Sequence, residues 1–141
     1  MITFELVTLT GVKFSENVHE VMLPTPQGEI AVFEHHMPLV SLIAPGIIKV
    51  RPKTDTKENH LEYFSVHGGV IEIADNKIRV LVDEATRDTE LNEKEVQSAL
   101  DRAKKMRAEA TEQIDLDKAQ ALVDRHAIEL KVADLRRRKK T

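Results

Sequence analysis

The residues best equipped for chemistry are His35 and His36, an adjacent pair of imidazoles that could ligate a metal or move a proton. Neighbouring residues on a strand point to opposite faces, so the two do not readily share one ion. No H-E-x-x-H spacing or carboxylate cluster completes a site around them, and a surface or turn role is the expectation. His67-Gly68-Gly69-Val70 lacks the spacing of a phosphate cradle, and no G-x-x-x-x-G-K loop occurs. Gly68-Gly69 reads instead as a bulge or a close backbone approach. The chain has no cysteine, which excludes disulfides and thiolate metal sites, and no serine elbow supplies a nucleophile. Taken alone, the sequence is expected to be non-catalytic, without a metal.

Charge is unevenly placed. Residues 1–90 carry 8 Lys/Arg against 14 Asp/Glu, whereas residues 91–141 carry 13 against 10. The concentration of positive charge is Arg136-Arg137-Arg138-Lys139-Lys140. It reads either as a solvated helix end complementing the helix dipole or as a contact for an acidic partner or nucleic acid. Nucleic acid is not expected, because the first 90 residues are acidic and no basic strip is interleaved with stacking aromatics.

Two grammars divide the chain. All 5 Gly and all 5 Pro lie at or before Gly69, and every aromatic lies at or before Phe64. Ile78, Val80 and Val82 alternate with Lys77 and Arg79, as in a half-buried strand. Val70 to Ala74 precedes them across Asp75-Asn76, which predicts a β-hairpin. Ile48 and Val50, Phe4 to Leu9, Val18 to Leu23, Glu29 to Phe33 and Leu61 to Val66 are further β-rich runs. About eight to ten short strands over residues 1–87 predict a flattened β-sandwich or barrel.

From residue 88 to 141 the pattern is helical. Asn92 with Glu95 forms a capping box, and Val96, Ala99, Leu100, Ala103 and Met106 share one face. Thr111 to Leu116 interrupts the period. Asp117 with Gln120 then predicts a second cap, followed by an apolar stripe of Ala119, Leu122, Val123, Ala127 and Leu130. Helices of about 18 and about 20 residues in an antiparallel hairpin are expected. Ile128, Val132 and Leu135 make another stripe, to be covered by the sandwich or by another protein. Eight alanines and no aromatic give the hairpin a thin core. With ordering costing about 1–2 kcal/mol per residue, this half should be detachable. The N-terminus does not read as a signal peptide. The apolar stretch from Leu39 to Ile48 is broken by Ser41, Pro45 and Gly46, far short of a spanning helix. Membrane association is therefore expected only through other proteins or surface charge.

Several segments, in order, resemble the epsilon subunit family of bacterial F-type ATP synthases. Gly28 to Leu39 (GEIAVFEHHMPL) is similar to the family's G-E-(L/I)-G-(I/V)-(Y/L)-P-x-H-x-P-L segment, without its second Gly and first Pro. Ala44-Pro45-Gly46-Ile47-Ile48 resembles its K-P-G-x-(I/V) turn. Phe64 to Ile73 and Val80 to Ala85 resemble two of its strands, and Asp115 to Ala121 (DLDKAQA) resembles the start of its second helix.

The resemblance implies a non-catalytic, peripheral subunit on the cytoplasmic face of the bacterial inner membrane. Its sandwich would sit at the foot of the central stalk against the gamma subunit and the c-ring, with Glu29 and His36 matching the rotor-contact positions. Its hairpin would fold on the sandwich in a permissive state. In an inhibitory state it would extend along gamma, bringing Arg125 and Arg136, Arg137, Arg138, Lys139 and Lys140 near acidic segments of the alpha/beta subunits. Some members bind ATP through an (I/L)-D-x-x-R-A motif. Aligned here on Arg102-Ala103, with Arg125 as a further nucleotide candidate, that motif has Ser98-Ala99 in place of its hydrophobic-Asp pair. Strong ATP binding is therefore not expected, and no cofactor is assigned. A free-standing adaptor acting through the basic tail is the alternative reading.

Overall fold

Ile2, Phe4 and Leu6 alternate with Thr3, Glu5 and Val7, and the strict period of two sends the first three into a core where each is fully buried. The same rule builds most of the first unit. The computed structural model describes residues 1–52 and 61–139. The chain divides into two compact units, Met1–Arg87 and Asp88–Thr141.

Among the described residues the first unit has ten strands: β1 (Ile2–Thr8), β2 (Gly11–Val18), β3 (Glu20–Thr25), β4 (Gly28–Val32), β5 (Leu39–Ile43), β6 (Gly46–Arg51), β7 (Glu62–Val66), β8 (Gly69–Ala74), β9 (Lys77–Val82) and β10 (Ala85–Arg87). They form two five-stranded sheets, ordered β2-β1-β9-β8-β5 and β10-β7-β6-β3-β4. Every pairing is antiparallel except that of β1 with β9. The inner faces meet in one apolar core, within which Phe14 lies 5.5 Å from both Phe4 and Phe64 between ring centroids. Offset and tilted ring pairs of this kind favour a specific packing over a fluid one. The expected β-sandwich is the observed fold.

Three local differences have physical causes. The run expected from Val18 to Leu23 is broken at His19, where the chain leaves one sheet for the other and the His19 N–H donates to the Arg51 carbonyl at 2.9 Å. β2 gives no alternating signal, because as an edge strand it buries only Phe14 and Val18. The β4 run stops at Val32, one residue before the expected end at Phe33; a turn at Glu34 and His35 follows, in keeping with the turn role expected of the histidine pair, and His36 to Pro38 have no regular structure. Asp75 and Asn76 make the expected hairpin, with φ of 51° and 59°. These are the paired positive angles of a type I′ turn. Gly69 is the close approach and not a bulge, for a Cβ there would lie 2.2 Å from the Leu81 carbonyl oxygen.

The second unit begins with a 3-10 turn at Asp88–Glu90, followed by α1 (Glu93–Glu109) and α2 (Gln113–Lys139). Asn92 caps α1, its side-chain oxygen accepting from the Lys94 and Glu95 N–H groups at 3.0 and 3.3 Å. Leu100 and Ala103 of α1 pack with Val123 of α2, flanked by Leu122 and Leu130. Met106 and Ala127, expected on this seam, are exposed. α2 is 27 residues long and starts four residues before the expected cap at Asp117. Asp117 lies inside the helix and accepts from Gln113 Nε2 at 2.8 Å. The early turn escapes a periodicity reading because Ile114 and Leu116 face solvent. An i, i+4 side-chain bond supports it in place of an apolar stripe.

Candidate functional site

Exposed apolar surface concentrates on the outward face of the sheet containing β1. Cross-strand register aligns Leu42 with Val70, Val70 with Leu81, Leu81 with Val7, and Val7 with Val12. Partners in register project to the same face, so these five side chains form one row across all five strands. Val12 and Leu42 are 60% and 63% exposed, and Leu81 and Val70 are 44% and 38% exposed. A contiguous apolar band on an ordered sheet marks a surface that another molecule covers. Beside it runs a charged row, in which Glu5 lies 3.2 Å from Lys77 Nζ and 3.4 Å from Arg79 Nε. An apolar strip bordered by charged groups has the composition of an interface core and rim.

Glu29 and His36, the two rotor-contact candidates, flank β4 from opposite ends. Glu29 is the strand's second residue, opposite Pro24, with its carboxylate 3.3 Å from Lys49 Nζ. His36 lies beyond the strand's last residue, its Nδ1 2.7 Å from the Met37 carbonyl oxygen. The two therefore do not share one loop. The segment around His36 presents apolar surface: Phe33 is 45% exposed and stacks edge-on against His19 at 5.8 Å, and Met37 is 77% exposed. Its backbone is unusual, since His35 holds φ at 62°. The Met1 ammonium donates to Glu34 Oε2 at 2.6 Å. That bond, and then the ammonium's charge, hold the Glu34 carboxyl below the ordinary carboxylate range. Motif reading singled out Glu29 and His36 but missed Phe33, Met37 and the apolar row, because exposure of an apolar residue on a strand depends on which sheet face a partner covers.

In the helical unit the nucleotide candidates separate. Ala103 is buried in the seam. Arg102 is exposed and lines an open groove with Asn92, Asp101, Lys105, Arg136 and Arg137. Arg125 is not among the groove's residues; its Nε lies 3.1 Å from Glu129 Oε1, and His126 Nδ1 approaches the same carboxylate at 3.6 Å. The basic end of α2 is engaged locally. Arg136 donates to the Asp88 carbonyl at 3.3 Å, Arg137 pairs with Glu93 and Asp134, and Arg138 lies 3.2 Å from Asp134. Lys139 ends the helix, and Lys140 lies outside the described residues.

Comparison with known proteins bears on this arrangement. Residues 1–88 match the family model of the ATP synthase delta/epsilon chain beta-sandwich domain. An ATP synthase epsilon chain of Rhizobium etli is 35% identical over 102 residues, spanning 72% of this chain and 73% of that one. Among solved structures, a chain of the Euglena gracilis mitochondrial ATP synthase OSCP/F1/c-ring assembly superposes with a TM-score of 0.77 at 19% identity, covering 94% of this chain and 80% of that one. A chain of the Tetrahymena thermophila mitochondrial ATP synthase central stalk/c-ring gives 0.61 at 16% identity, covering 92% and 93%. At such identities the structural likeness shows the fold alone.

Proposed function

The chain belongs to the ATP synthase delta/epsilon family as an epsilon-type chain, and on that footing we propose that it is a non-catalytic rotor component of an F-type ATP synthase. It couples ion flow through a c-ring to ATP synthesis and restrains ATP hydrolysis through its helical hairpin. The observation that carries the coupling half is the apolar row Leu42–Val70–Leu81–Val7–Val12 on the sandwich. An exposed row of this kind suits permanent burial against a subunit partner, which in this reading is gamma. The Phe33–Pro38 segment, with His36 and Met37, and the separate position of Glu29 face the c-ring. No helix among the described residues is long and apolar enough to cross a membrane. Attachment therefore runs through the complex, at the cytoplasmic face of a bacterial plasma membrane.

The restraining half rests on the hairpin. Its buried apolar residues, Val96, Leu100, Ala103, Ala119, Val123, Val132 and Ala133, are alanines, valines and one leucine, which offer little apolar area. Full burial of a Leu or Val contributes only about 1.5–3 kcal/mol. A seam this small is compatible with rearrangement between two packings of similar free energy. In the inhibitory packing Arg125 and the residues Arg136 to Lys140 meet acidic segments of the catalytic alpha/beta subunits. The test is a chain ending at Arg87, assembled into the rest of the enzyme. It should fold, preserve coupling and raise ATP hydrolysis. Hydrolysis no faster than with the full chain would remove the inhibitory role, and a truncated chain that failed to fold would displace the boundary.

A further inference from the structure

Asn76 stands at the tip of the β8–β9 turn, and its polar groups reach beyond that turn in three directions. Its carbonyl accepts from the Thr3 N–H at 3.2 Å. Its Nδ2 donates to the Met1 carbonyl at 2.9 Å, and its Oδ1 accepts from the His35 N–H at 2.8 Å. The orientation of the amide is fixed by its partners, since a carbonyl only accepts and a backbone N–H only donates. One side chain thus ties the start of β1 to the Phe33–Pro38 segment, 41 residues earlier in the sequence than the turn itself.

The bond falls where the segment needs outside support. His35 occupies the left-handed region at φ 62°, which a side chain with a Cβ disfavours. The preceding residues, Ala31-Val32-Phe33-Glu34, contain neither glycine nor proline to fix a turn by themselves. A positive φ at position 76 does not by itself call for asparagine. Glycine adopts it more readily, and Asp-Gly is a preferred type I′ pair. What asparagine adds is the two side-chain hydrogen bonds.

We propose that Asn76 is a positioning residue, holding the Phe33–Pro38 segment so that His36 and Met37 present a fixed surface to the rotor partner. This rests on the reading of that segment as a c-ring contact. Asn76→Gly in the full chain separates the clamp from the turn, because it keeps the turn's backbone and removes both side-chain bonds. Its melting temperature should be unchanged or slightly raised. Exchange of the His35 amide hydrogen should quicken by about tenfold, and proton pumping per ATP hydrolysed by the assembled enzyme should fall. Asn76→Asp keeps an oxygen for the His35 N–H but sets a second acceptor against the Met1 carbonyl, so it should recover His35 protection only in part, to a level between Asn76→Gly and the unchanged chain. Unchanged His35 exchange in Asn76→Gly would overturn the proposal whatever happens to coupling. Faster exchange with intact coupling would overturn it as well. In that case His36→Ala and Met37→Ala locate the fault: if they impair coupling, positioning is unimportant, and if they do not, the segment is no rotor contact.

Discussion

Arg137 places its Nη1 3.4 Å from the carboxylate of Glu93, joining the end of α2 to the first turn of α1. At the hairpin's other end Arg107 Nη1 donates to Gln120 Oε1 at 3.2 Å. The apolar seam is thus closed by a polar contact at each end, and the basic terminus is partly folded into the hairpin.

The Arg137–Glu93 contact should nonetheless be weak. Its side chains are 64% and 41% exposed, and water and salt screen such pairs. A double-mutant cycle with Glu93→Gln and Arg137→Gln, read by thermal unfolding, should give a coupling below ~1 kcal/mol that shrinks with added salt. A salt-insensitive coupling of several times that size would mean that the hairpin is locked by charge, which a rearranging element does not need.

Gly69 and Gly68 should respond differently to alanine. A Cβ at Gly69 meets the Leu81 carbonyl oxygen at 2.2 Å and Val82 Cγ1 at 2.8 Å, whereas at Gly68 the nearest atom is 3.9 Å away. Both have positive φ, 149° and 121°. Gly69→Ala adds overlap to strain and should cost ~2–4 kcal/mol in urea denaturation, against ~1–2 for Gly68→Ala. Equal losses would show that the two sheet strands can separate at this point without penalty.

Glu34 supplies a pH dependence whose sign follows from its lowered pKa, caused first by the hydrogen bond from the Met1 ammonium and then by that group's charge. A carboxyl with a depressed pKa in the folded state adds stability above its unfolded pKa, and this is lost as pH falls through the folded value. The contact should be intact at neutral pH and disappear on acidification through and below the ordinary carboxylate range. Carbon-detected NMR titration should give Glu34 a midpoint below those of exposed glutamates, and Glu34→Gln should remove the corresponding acid-range change in the His35 amide signal. A midpoint at the ordinary glutamate value would contradict the pairing.

For the hairpin, titration of the full chain with ATP should show no tight, saturable binding. Ala99 stands where an acidic residue is expected, and Arg125 is held by Glu129 outside the groove that Arg102 lines. Saturable heat release at micromolar ATP, abolished by Arg102→Ala, would show that a different set of residues completes a nucleotide site.

Local chemistry made much of this legible in the sequence. Asp75-Asn76 announced a hairpin because few residue pairs tolerate two positive φ angles. Asn92 announced a helix start because a cap is a one-residue decision. The alternation around Ile78 and Val80 announced a strand because a sheet with one buried face imposes period two. Where tertiary context decided, the pattern failed. β2 is an edge strand with two inward residues, and the first turn of α2 is wholly exposed. The run read from Glu29 to Phe33 overshot β4, which ends at Val32. The same limit hid the proposed docking surface: the apolar row exists only once five strands are in register, and the bond from Asn76 to His35 links residues that no local motif connects.

A stalk component docked through one face of its sandwich must bind the gamma subunit of its own synthase, and that binding can be measured directly. Purified full-length chain and gamma should elute together by size exclusion, and the complex should survive raised ionic strength because an apolar row forms its centre. Leu42→Asp with Leu81→Asp should disrupt the complex while leaving the fold intact, since both side chains are exposed on the free chain. Failure to associate with gamma, together with salt-sensitive retention on nucleic acid or on an acidic protein, would contradict the rotor assignment and favour an adaptor acting through the basic tail.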